Sequence, residues 1–185
     1  MVNDMKATGI VRRIDDLGRI VVPKEIRRTL RIREGDPLEI YTDREGEVIL
    51  KKYSPVGEMG EFAKQYVDSL AQTTGHIVAV ADRDQLIAAS GGARKELLQK
   101  PISKQLENVM EGRKPVVASG DSKEYCDITE DGEHYAYEAI SPIISEGDAI
   151  GAVLILTKDS KVHFGETEGK LAATASGFLG RQMEA

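Results

Sequence analysis

The sequence predicts an α+β chain of two domains, a small basic domain over residues 1–53 and a larger domain over residues 54–185. Short strand-like segments around one short helix fill the first part, whereas longer helix and strand patterns fill the second. The change falls at residues 53–57 (YSPVG), where proline and glycine favour a turn. A chain of 185 residues is long enough for two small domains.

Charge is divided unevenly along the chain. Nine basic and four acidic residues lie before Glu34, so this segment carries +5, and because the whole chain carries −6, the remainder carries −11. A basic segment joined to an acidic one indicates contact with nucleic acid, and an ordinary solvated charged face is the alternative interpretation.

The N-terminal domain is predicted from alternating apolar residues and from turn signals. Pro23 suits the first position of the helix, where its missing N–H costs nothing, and Gly35 follows as a stop signal. In chain order, the predicted elements are a strand over 8–14, a turn over 15–18, a strand over 19–22, a helix over 24–31, and strands over 38–42 and 47–53 joined by a hairpin loop at 43–46.

The predicted helix is one-sided. Ile26 and Leu30 share one face, and four basic residues share the opposite face: Lys24, Arg27, Arg28 and Arg31. Like charges this close repel one another, and a polyanion facing them would turn the repulsion into attraction. The helix therefore favours DNA over a merely solvated surface.

The N-terminal domain has too few residues for an independent core. About 50 residues in this pattern bury little apolar surface, and isolated hairpins are marginally stable in water. We therefore expect strands from two copies of the chain to form one shared core.

Five segments of the N-terminal domain carry a recognisable pattern: residues 8–12 (TGIVR), 16–19 (DLGR), 22–23 (VP), 25–30 (EIRRTL) and 38–41 (LEIY). Together they resemble the AbrB-type swapped-hairpin DNA-binding domain over residues 6–53. The resemblance implies a homodimeric β-barrel of interleaved hairpins, with double-stranded DNA along a surface built from both chains. It also implies DNA contacts at Arg12, Arg19, Arg27 and Arg28, with Arg13 nearby.

The C-terminal domain shows helical stripes on either side of strand segments. Its first helix carries Met59, Phe62, Tyr66 and Leu70 at helical spacing, and Ser103 suits the N-cap of a later helix. In chain order, the predicted elements are a helix over 58–72, strands over 76–82 and 86–90, a helix over 103–111, an edge strand over 115–119, strands over 135–144 and 149–157, and a helix over 165–183.

A helix, an antiparallel sheet and a closing helix are typical of α+β sensor folds of the GAF or PAS kind. Residues 150–156 (IGAVLIL) and the hairpin before them resemble the late strand of GAF domains. The whole chain resembles the sporulation regulators of spore-forming bacilli, in which an AbrB-type domain precedes a GAF-like one. This resemblance implies a transcription regulator, activator or repressor, whose GAF-like domain serves assembly and small-molecule sensing; no cofactor beyond an unknown effector is expected.

The last predicted helix is rich in small residues, and each glycine lowers helix stability by roughly 1 kcal/mol relative to alanine. The small residues are Gly169, Ala172, Ala173, Ser176, Gly177 and Gly180. Close packing would offset this cost, either against another helix or against the domain's own sheet. If this helix and helix 58–72 lie side by side and pair between chains, they would raise a dimer to a homotetramer.

No arrangement of residues in the sequence indicates catalysis or metal binding. His76, His134 and His163 are not at ligand spacing, and one cysteine cannot build a zinc site. Acidic neighbours disfavour a thiolate at Cys126, so a partly buried and unreactive thiol is expected. No GxxxxGKS or GxxxxGKT phosphate loop and no GxSxG nucleophile elbow occurs, so an enzyme is not expected.

The N-terminus does not resemble a signal peptide, and no apolar run approaches the roughly 18 residues that span a bilayer. We therefore expect no membrane contact and a cytoplasmic, nucleoid-associated protein, located in the forespore according to the resemblance. An antitoxin is the alternative, because swapped-hairpin folds also serve there. Antitoxin tails are usually disordered without their toxin, whereas this C-terminal part has its own strands and helices.

Overall fold

The computed structural model describes residues 7–184, so Lys6, one of the nine basic residues before Glu34, lies outside the described part. The chain divides into two compact units, and the boundary in the sequence falls between Lys52 and Tyr53. The described N-terminal unit has one short helix and one hairpin, and the C-terminal unit holds the other helices and strands.

The N-terminal unit contains a helix, α1, over Lys24–Thr29 and two strands, β1 over Leu38–Thr42 and β2 over Val48–Lys52. The two strands pair antiparallel, and the loop between them is ordered by Asp43. The Asp43 carboxylate accepts the backbone N–H groups of Glu45 and Glu47 at 2.9 and 2.8 Å. The predicted hairpin of this region is therefore confirmed.

No strand forms over residues 8–14 or 19–22 in the single chain. Because the predicted core is shared by two chains, these two strands stay a prediction. The turn between them does form, because the Gly18 N–H donates to the Asp15 carbonyl at 3.0 Å. A strand requires a hydrogen-bonded neighbour, and no described segment of this chain pairs with these residues. Some of their backbone groups are engaged within the chain, such as the Arg19 N–H by Asp15 and the Val22 carbonyl by Arg27 Nε, and the others can pair with another chain.

Helix α1 ends at Thr29, two residues before the predicted end at Arg31. Arg31 has a φ of 53°, and the next residue, Ile32, donates its N–H to the Arg27 carbonyl at 2.7 Å. This is the six-to-one hydrogen bond of a Schellman motif, which ends a helix through a left-handed residue. Arg31 therefore does not continue the basic face, and Pro23 is the N-cap instead of the first helical residue.

The N-terminal unit leaves its apolar side chains uncovered. Among residues 7–52 only Pro23 is buried, whereas Val11 is 86% exposed and Val21 is 74% exposed. The other exposed large apolar residues are Ile10, Ile14, Leu17, Ile20, Leu30, Ile40, Tyr41, Val48 and Leu50. Burial of apolar surface stabilises a fold by about 25 cal/mol per Å², so the single chain lacks this main stabilising contribution here.

The C-terminal unit is a five-stranded antiparallel sheet with helices on both faces. Its elements are α2 (Pro55–Glu58), α3 (Gly60–Thr74), β3 (Ile77–Asp82), β4 (Leu86–Ala89), a 3-10 turn (Gly91–Ala93), α4 (Arg94–Leu97), α5 (Lys104–Gly112), β5 (Val116–Ser119), β6 (Tyr137–Ser145), β7 (Asp148–Thr157) and α6 (Glu166–Gln182). The strand order is β4-β3-β7-β6-β5, so β5 is an edge strand as predicted. Ser103 caps α5 by accepting the Leu106 N–H at 3.0 Å, which confirms the predicted start of that helix.

Two apolar clusters lie on opposite faces of the sheet, because successive strand residues alternate between the faces. One face is covered by α4 and α5, which contribute Leu97, Leu106 and Met110. The other face is covered by α3 and α6, which contribute Ala63, Val67, Ala172, Ala175 and Leu179. Helices α3 and α6, which come from the two ends of the unit, thus lie on one face of the sheet, and the shorter helices α4 and α5 lie on the other.

The small residues of α6 serve packing on the unit's own sheet. A Cβ added at Gly180 would lie 2.2 Å from the Ile144 carbonyl oxygen, and one at Gly169 would lie 3.0 Å from Val117 Cγ2. Gly177 faces away, and a Cβ there would meet only the Arg181 guanidinium, at 3.8 Å. Packing against the unit's own sheet, one of the two predicted alternatives, therefore accounts for most of the small residues of α6.

Helices α3 and α6 also touch each other through aromatic rings. The Phe178 ring centroid lies 5.5 Å from that of Tyr66 and 5.9 Å from that of Phe62. Phe62 remains 39% exposed, whereas the sheet-facing residues of α3 are Ala63 and Val67. The expectation that the two helices lie side by side is confirmed, and their junction presents an aromatic patch formed by Phe62, Tyr66 and Phe178.

Adding one methyl group at two positions of α6 should have opposite effects on stability. Gly180→Ala should lower the free energy of unfolding by about 1–3 kcal/mol, because the new Cβ cannot fit against the Ile144 carbonyl. Gly177→Ala, the matched control, should raise it by up to about 1 kcal/mol through helix propensity. Urea unfolding of the full chain measures both; equal effects of the two substitutions would contradict the packing of α6.

Candidate functional site

The basic surface of the N-terminal unit begins on α1, where Lys24, Arg27 and Arg28 are exposed. The Arg27 side chain is oriented by its Nε, which donates to the Val22 carbonyl at 3.2 Å. No hydrogen bond or ion pair within residues 7–184 holds the side chain of Arg28. An exposed guanidinium with free donors is suited to phosphate, which it meets in a planar, two-pronged geometry.

The turn before α1 presents a third predicted arginine in an ion pair. Arg19 Nε lies 2.8 Å from Asp15 Oδ2, and Asp15 Oδ1 accepts the backbone N–H groups of Leu17 and Arg19. The Arg19 N–H first, and then its side chain, lower the pKa of Asp15 from its ordinary value. The Arg19 side chain is 69% exposed, so the guanidinium is available to an anion on its outer side.

Arg12 and Arg13 lie on the exposed extended segment that precedes this turn. The five predicted arginines therefore fall in two groups. One group lies on residues 8–22, which reverse direction at the turn over 15–18 and are called the N-terminal hairpin below although they form no strands in the single chain, and the other lies on α1. Within the single chain the hydrogen bond from Arg27 to the Val22 carbonyl links α1 to the end of this segment, but no described strand pairing fixes Arg12, Arg13 and Arg19 beside α1. A continuous basic surface requires the hairpin to be fixed, and its own chain provides no strand that fixes it.

A buried carboxyl group lies on the α4/α5 face of the sheet in the C-terminal unit, and the sequence analysis missed it. Glu138, on β6, has no exposed surface, and its Oε1 accepts the Cys126 N–H at 2.7 Å. Its Oε2 has no hydrogen-bond partner in the described part of the chain. Burial raises the pKa of Glu138 to about 8, and the nearby Asp127 carboxylate acts in the same direction. Position 138 shares its face with Ile140, and this alternation was the available signal.

Cys126 is buried more completely than the partial burial that was predicted, and its thiol is unsuited to ionisation. Burial raises its pKa to about 12, with smaller contributions from the charges of Glu138 and Asp127. A thiol reacts as its thiolate, so the buried Cys126 thiol is protected from reaction with electrophiles.

The histidines form ring contacts with aromatic side chains. The rings of His76 and Phe164 are 4.8 Å apart, and those of His134 and Tyr125 are 4.3 Å apart. Among the described residues, no group of three or more His, Cys, Asp or Glu side chains is placed to hold a metal ion. An open cleft of about 320 Å³ lies where residues 119–121 meet residues 134–137, beside Ser160. Within residues 7–184, no helix is long and apolar enough to span a bilayer.

Two family models match this chain. Residues 58–184 match the model of the stage V sporulation protein T C-terminal domain, described as a transcription factor. Residues 11–58 match the model of the antidote-toxin recognition protein MazE, described as a bacterial antitoxin. The two matches divide the chain close to the point where the structure divides.

Two curated proteins of Bacillus subtilis (strain 168) are similar to the chain. Stage V sporulation protein T is 57% identical over 180 residues, which cover 97% of this chain and 99% of that protein. The transition state regulatory protein AbrB is 65% identical over 51 residues, which cover 28% of this chain and 52% of that protein. The second similarity is confined to the basic N-terminal part.

Solved structures share the fold of the C-terminal unit. The GAF domain of a phosphoenolpyruvate-protein phosphotransferase from Acinetobacter superposes with a TM-score of 0.58 at 13% identity, over 68% of this chain and 82% of that one. The corresponding GAF domain from Coxiella burnetii gives a TM-score of 0.56 at 18% identity, over 68% and 82% of the two chains. At such identities the similarity shows a GAF-like fold and nothing about ligands.

Proposed function

The chain belongs to the family of stage V sporulation protein T, a family of transcription factors, and from this premise we propose that it binds double-stranded DNA and regulates sporulation genes as an activator or a repressor. The observation that carries the proposal is the exposed basic face of α1, Lys24, Arg27 and Arg28, on a unit otherwise lined by uncovered apolar residues. The proposed location is the cytoplasm, on the nucleoid, and in the forespore.

In this proposal residues 1–53 hold the DNA through five arginines: Arg12, Arg13, Arg19, Arg27 and Arg28. Arg27 and Arg28 lie on a helix, which fixes the directions in which their side chains leave the backbone. Arg19 exchanges its Asp15 partner for phosphate. Contacts to phosphate supply most of the affinity and position the protein on the duplex.

The same unit becomes a folded domain as a homodimer. The uncovered residues of the hairpin, such as Val11 and Val21, and those of β1 and β2, such as Ile40 and Val48, supply the two halves of a shared core. Pairing residues 8–14 and 19–22 with strands of the second chain satisfies their free backbone groups. It also fixes the hairpin arginines beside those of α1.

We assign residues 54–185 to assembly and to the sensing of a small molecule, without catalysis. The aromatic patch of Phe62, Tyr66 and Phe178 lies at the junction of α3 and α6, and its pairing between dimers gives a homotetramer. Two DNA-binding units on one assembly gain affinity on long DNA through effective concentration.

An antitoxin is a second candidate, favoured by the match of residues 11–58 to an antitoxin model. It is weaker, because the segment after that match forms a sheet with helices on both faces rather than a tail. Copurification with a toxin that covers the exposed apolar residues would revive this candidate.

The DNA-binding assignment predicts a change in salt dependence. Arg28→Ala removes one phosphate contact from each chain of a dimer, so the slope of log affinity against log salt should shrink by about 2. Arg181→Ala, which removes the same charge from the C-terminal unit, is the matched control and should leave the slope unchanged. Fluorescence anisotropy over a salt series measures both slopes, and equal slopes for Arg28→Ala and the unmodified protein would refute the assignment.

The shared core predicts that residues 1–53 unfold at a midpoint that rises with protein concentration, because folding and association are one step. Thermal melts over a hundredfold concentration range, followed by circular dichroism, measure this dependence. A folded monomer in sedimentation equilibrium, with a midpoint independent of concentration, would rule out the shared core.

The aromatic patch predicts a specific loss of assembly. Phe62→Glu should convert tetramers to dimers with little loss of stability, because the ring is 39% exposed in the single chain and is not among the buried residues of α3. Gln65→Glu places the same charge on an exposed position of α3 and should leave the assembly unchanged. Sedimentation velocity of the full chain distinguishes them, and a tetrameric Phe62→Glu variant would place the assembly surface elsewhere.

A further inference from the structure

We infer that residues 120–134 form a movable cover over the α4/α5 face of the sheet, and that the protonation state of Glu138 controls whether the cover is closed. This control is a property of the C-terminal unit and goes beyond the proposed function. It depends on three features of the structure: how the cover is attached, what lies beneath it, and which groups surround Glu138.

The cover is a long irregular connection between β5 and β6, attached at a few points. Cys126 and Ile128 point into the apolar cluster beneath it, while most of the other residues of the cover are exposed. At one side the Ser103 N–H donates to the Ile128 carbonyl at 2.9 Å, and the Asp127 N–H donates to Gln105 Oε1 at 2.9 Å. Ser103 Oγ also donates to the Asp127 carbonyl, and Gln105 Nε2 donates to Asp127 Oδ2 at 3.2 Å, so four described hydrogen bonds join the cover to the start of α5. Near the other end of the cover, the Tyr125 hydroxyl accepts the Tyr135 N–H at 2.9 Å.

On the sheet itself, Glu138 provides the attachment by accepting the Cys126 N–H. Its second oxygen has no partner within the described residues. A buried carboxylate with one oxygen unsatisfied costs several kcal/mol, and the neutral acid costs far less. The neutral Glu138 side chain therefore favours the closed cover, and the charged carboxylate disfavours it.

Within residues 7–184, no cation acts on the charge of Glu138. Its strand neighbours across β5 and β7 are Ala118 and Leu156. Helices α4 and α5 contribute only apolar residues to the cluster on this face: Leu97, Leu106 and Met110. The titratable groups that face it come from the cover: Tyr125, Cys126 and the like-charged Asp127. Lys158 pairs with Glu96 and with Glu133, a residue of the cover, and no described contact joins it to Glu138.

The sign of the effect follows from proton linkage. When the cover is closed, burial raises the pKa of Glu138 to about 8, whereas in water the carboxyl has its ordinary value of 4.5. Between these values the open state releases a proton that the closed state retains, so rising pH favours opening. The equilibrium constant for opening should increase by up to about tenfold per pH unit in this window and level off above about pH 8.

Cys126 reports the opening directly, because its side chain points from the cover into the cluster beneath and the chain has one cysteine. The experiment measures the rate at which N-ethylmaleimide modifies Cys126 in the full chain from about pH 5.5 to about pH 9. Dividing this rate by that of a short unfolded peptide with the same local sequence removes the ordinary ionisation of the thiol and leaves the opening constant.

In the unmodified protein the normalised rate should rise with pH and then level off. In Glu138→Gln, an isostere of the neutral acid, it should stay flat at the low-pH value. Glu124→Gln removes an exposed carboxylate from the same cover and should behave as the unmodified protein. A flat profile in the unmodified protein, or the same rise in Glu138→Gln, would overturn the inference.

If Glu138→Gln does not fold, amide hydrogen exchange of the unmodified protein decides. A rise of the opening constant with pH confined to residues 121–134 supports the control of the cover by Glu138. An equal rise in α3 and α6 would mean that the whole unit unfolds, and the inference would be wrong. No DNA is present in either measurement, so their failure leaves the proposed DNA-binding function untouched.

Discussion

The N-terminal unit cannot bury its own apolar residues, and this constraint determines most of what the protein does. Within residues 7–52 Pro23 alone is buried, and the hairpin that carries Arg12, Arg13 and Arg19 has no strand of its own chain beside it. A second chain that covers Val11 and Val21 would create the core and fix the arginines in one event. Folding, dimerisation and the formation of a DNA-binding surface are then a single process rather than three.

The C-terminal unit meets a different constraint, because it has a complete sheet and two apolar clusters of its own. Its two faces are closed in different ways. Helices α3 and α6 lie on one face and leave an aromatic patch between them, whereas α4, α5 and the irregular cover close the other face, with the cover hydrogen-bonded to Glu138. One face is thus suited to association between chains and the other to a local change of conformation.

Sequence patterns predicted the C-terminal elements closely, because each strand and helix there is completed by neighbours within the same unit. They also predicted strands over residues 8–14 and 19–22, which do not form in the single chain because no described segment of it pairs with them. They also placed Arg31 on α1, since a left-handed Arg31 in a Schellman motif is not visible in helical spacing. The burial of Glu138 was not predicted, because a single acidic residue in a strand is usually exposed.

The most direct test of the shared core uses an equimolar mixture of carbon-13-labelled and unlabelled chains, refolded together. Isotope-filtered nuclear Overhauser spectra of this mixture detect only contacts between different chains. The account predicts strong interchain contacts from the methyl groups of Val11 and Val21 to those of Ile40, Val48 or Leu50. If these methyl groups show contacts only within their own chain, the N-terminal unit folds alone and the account is wrong.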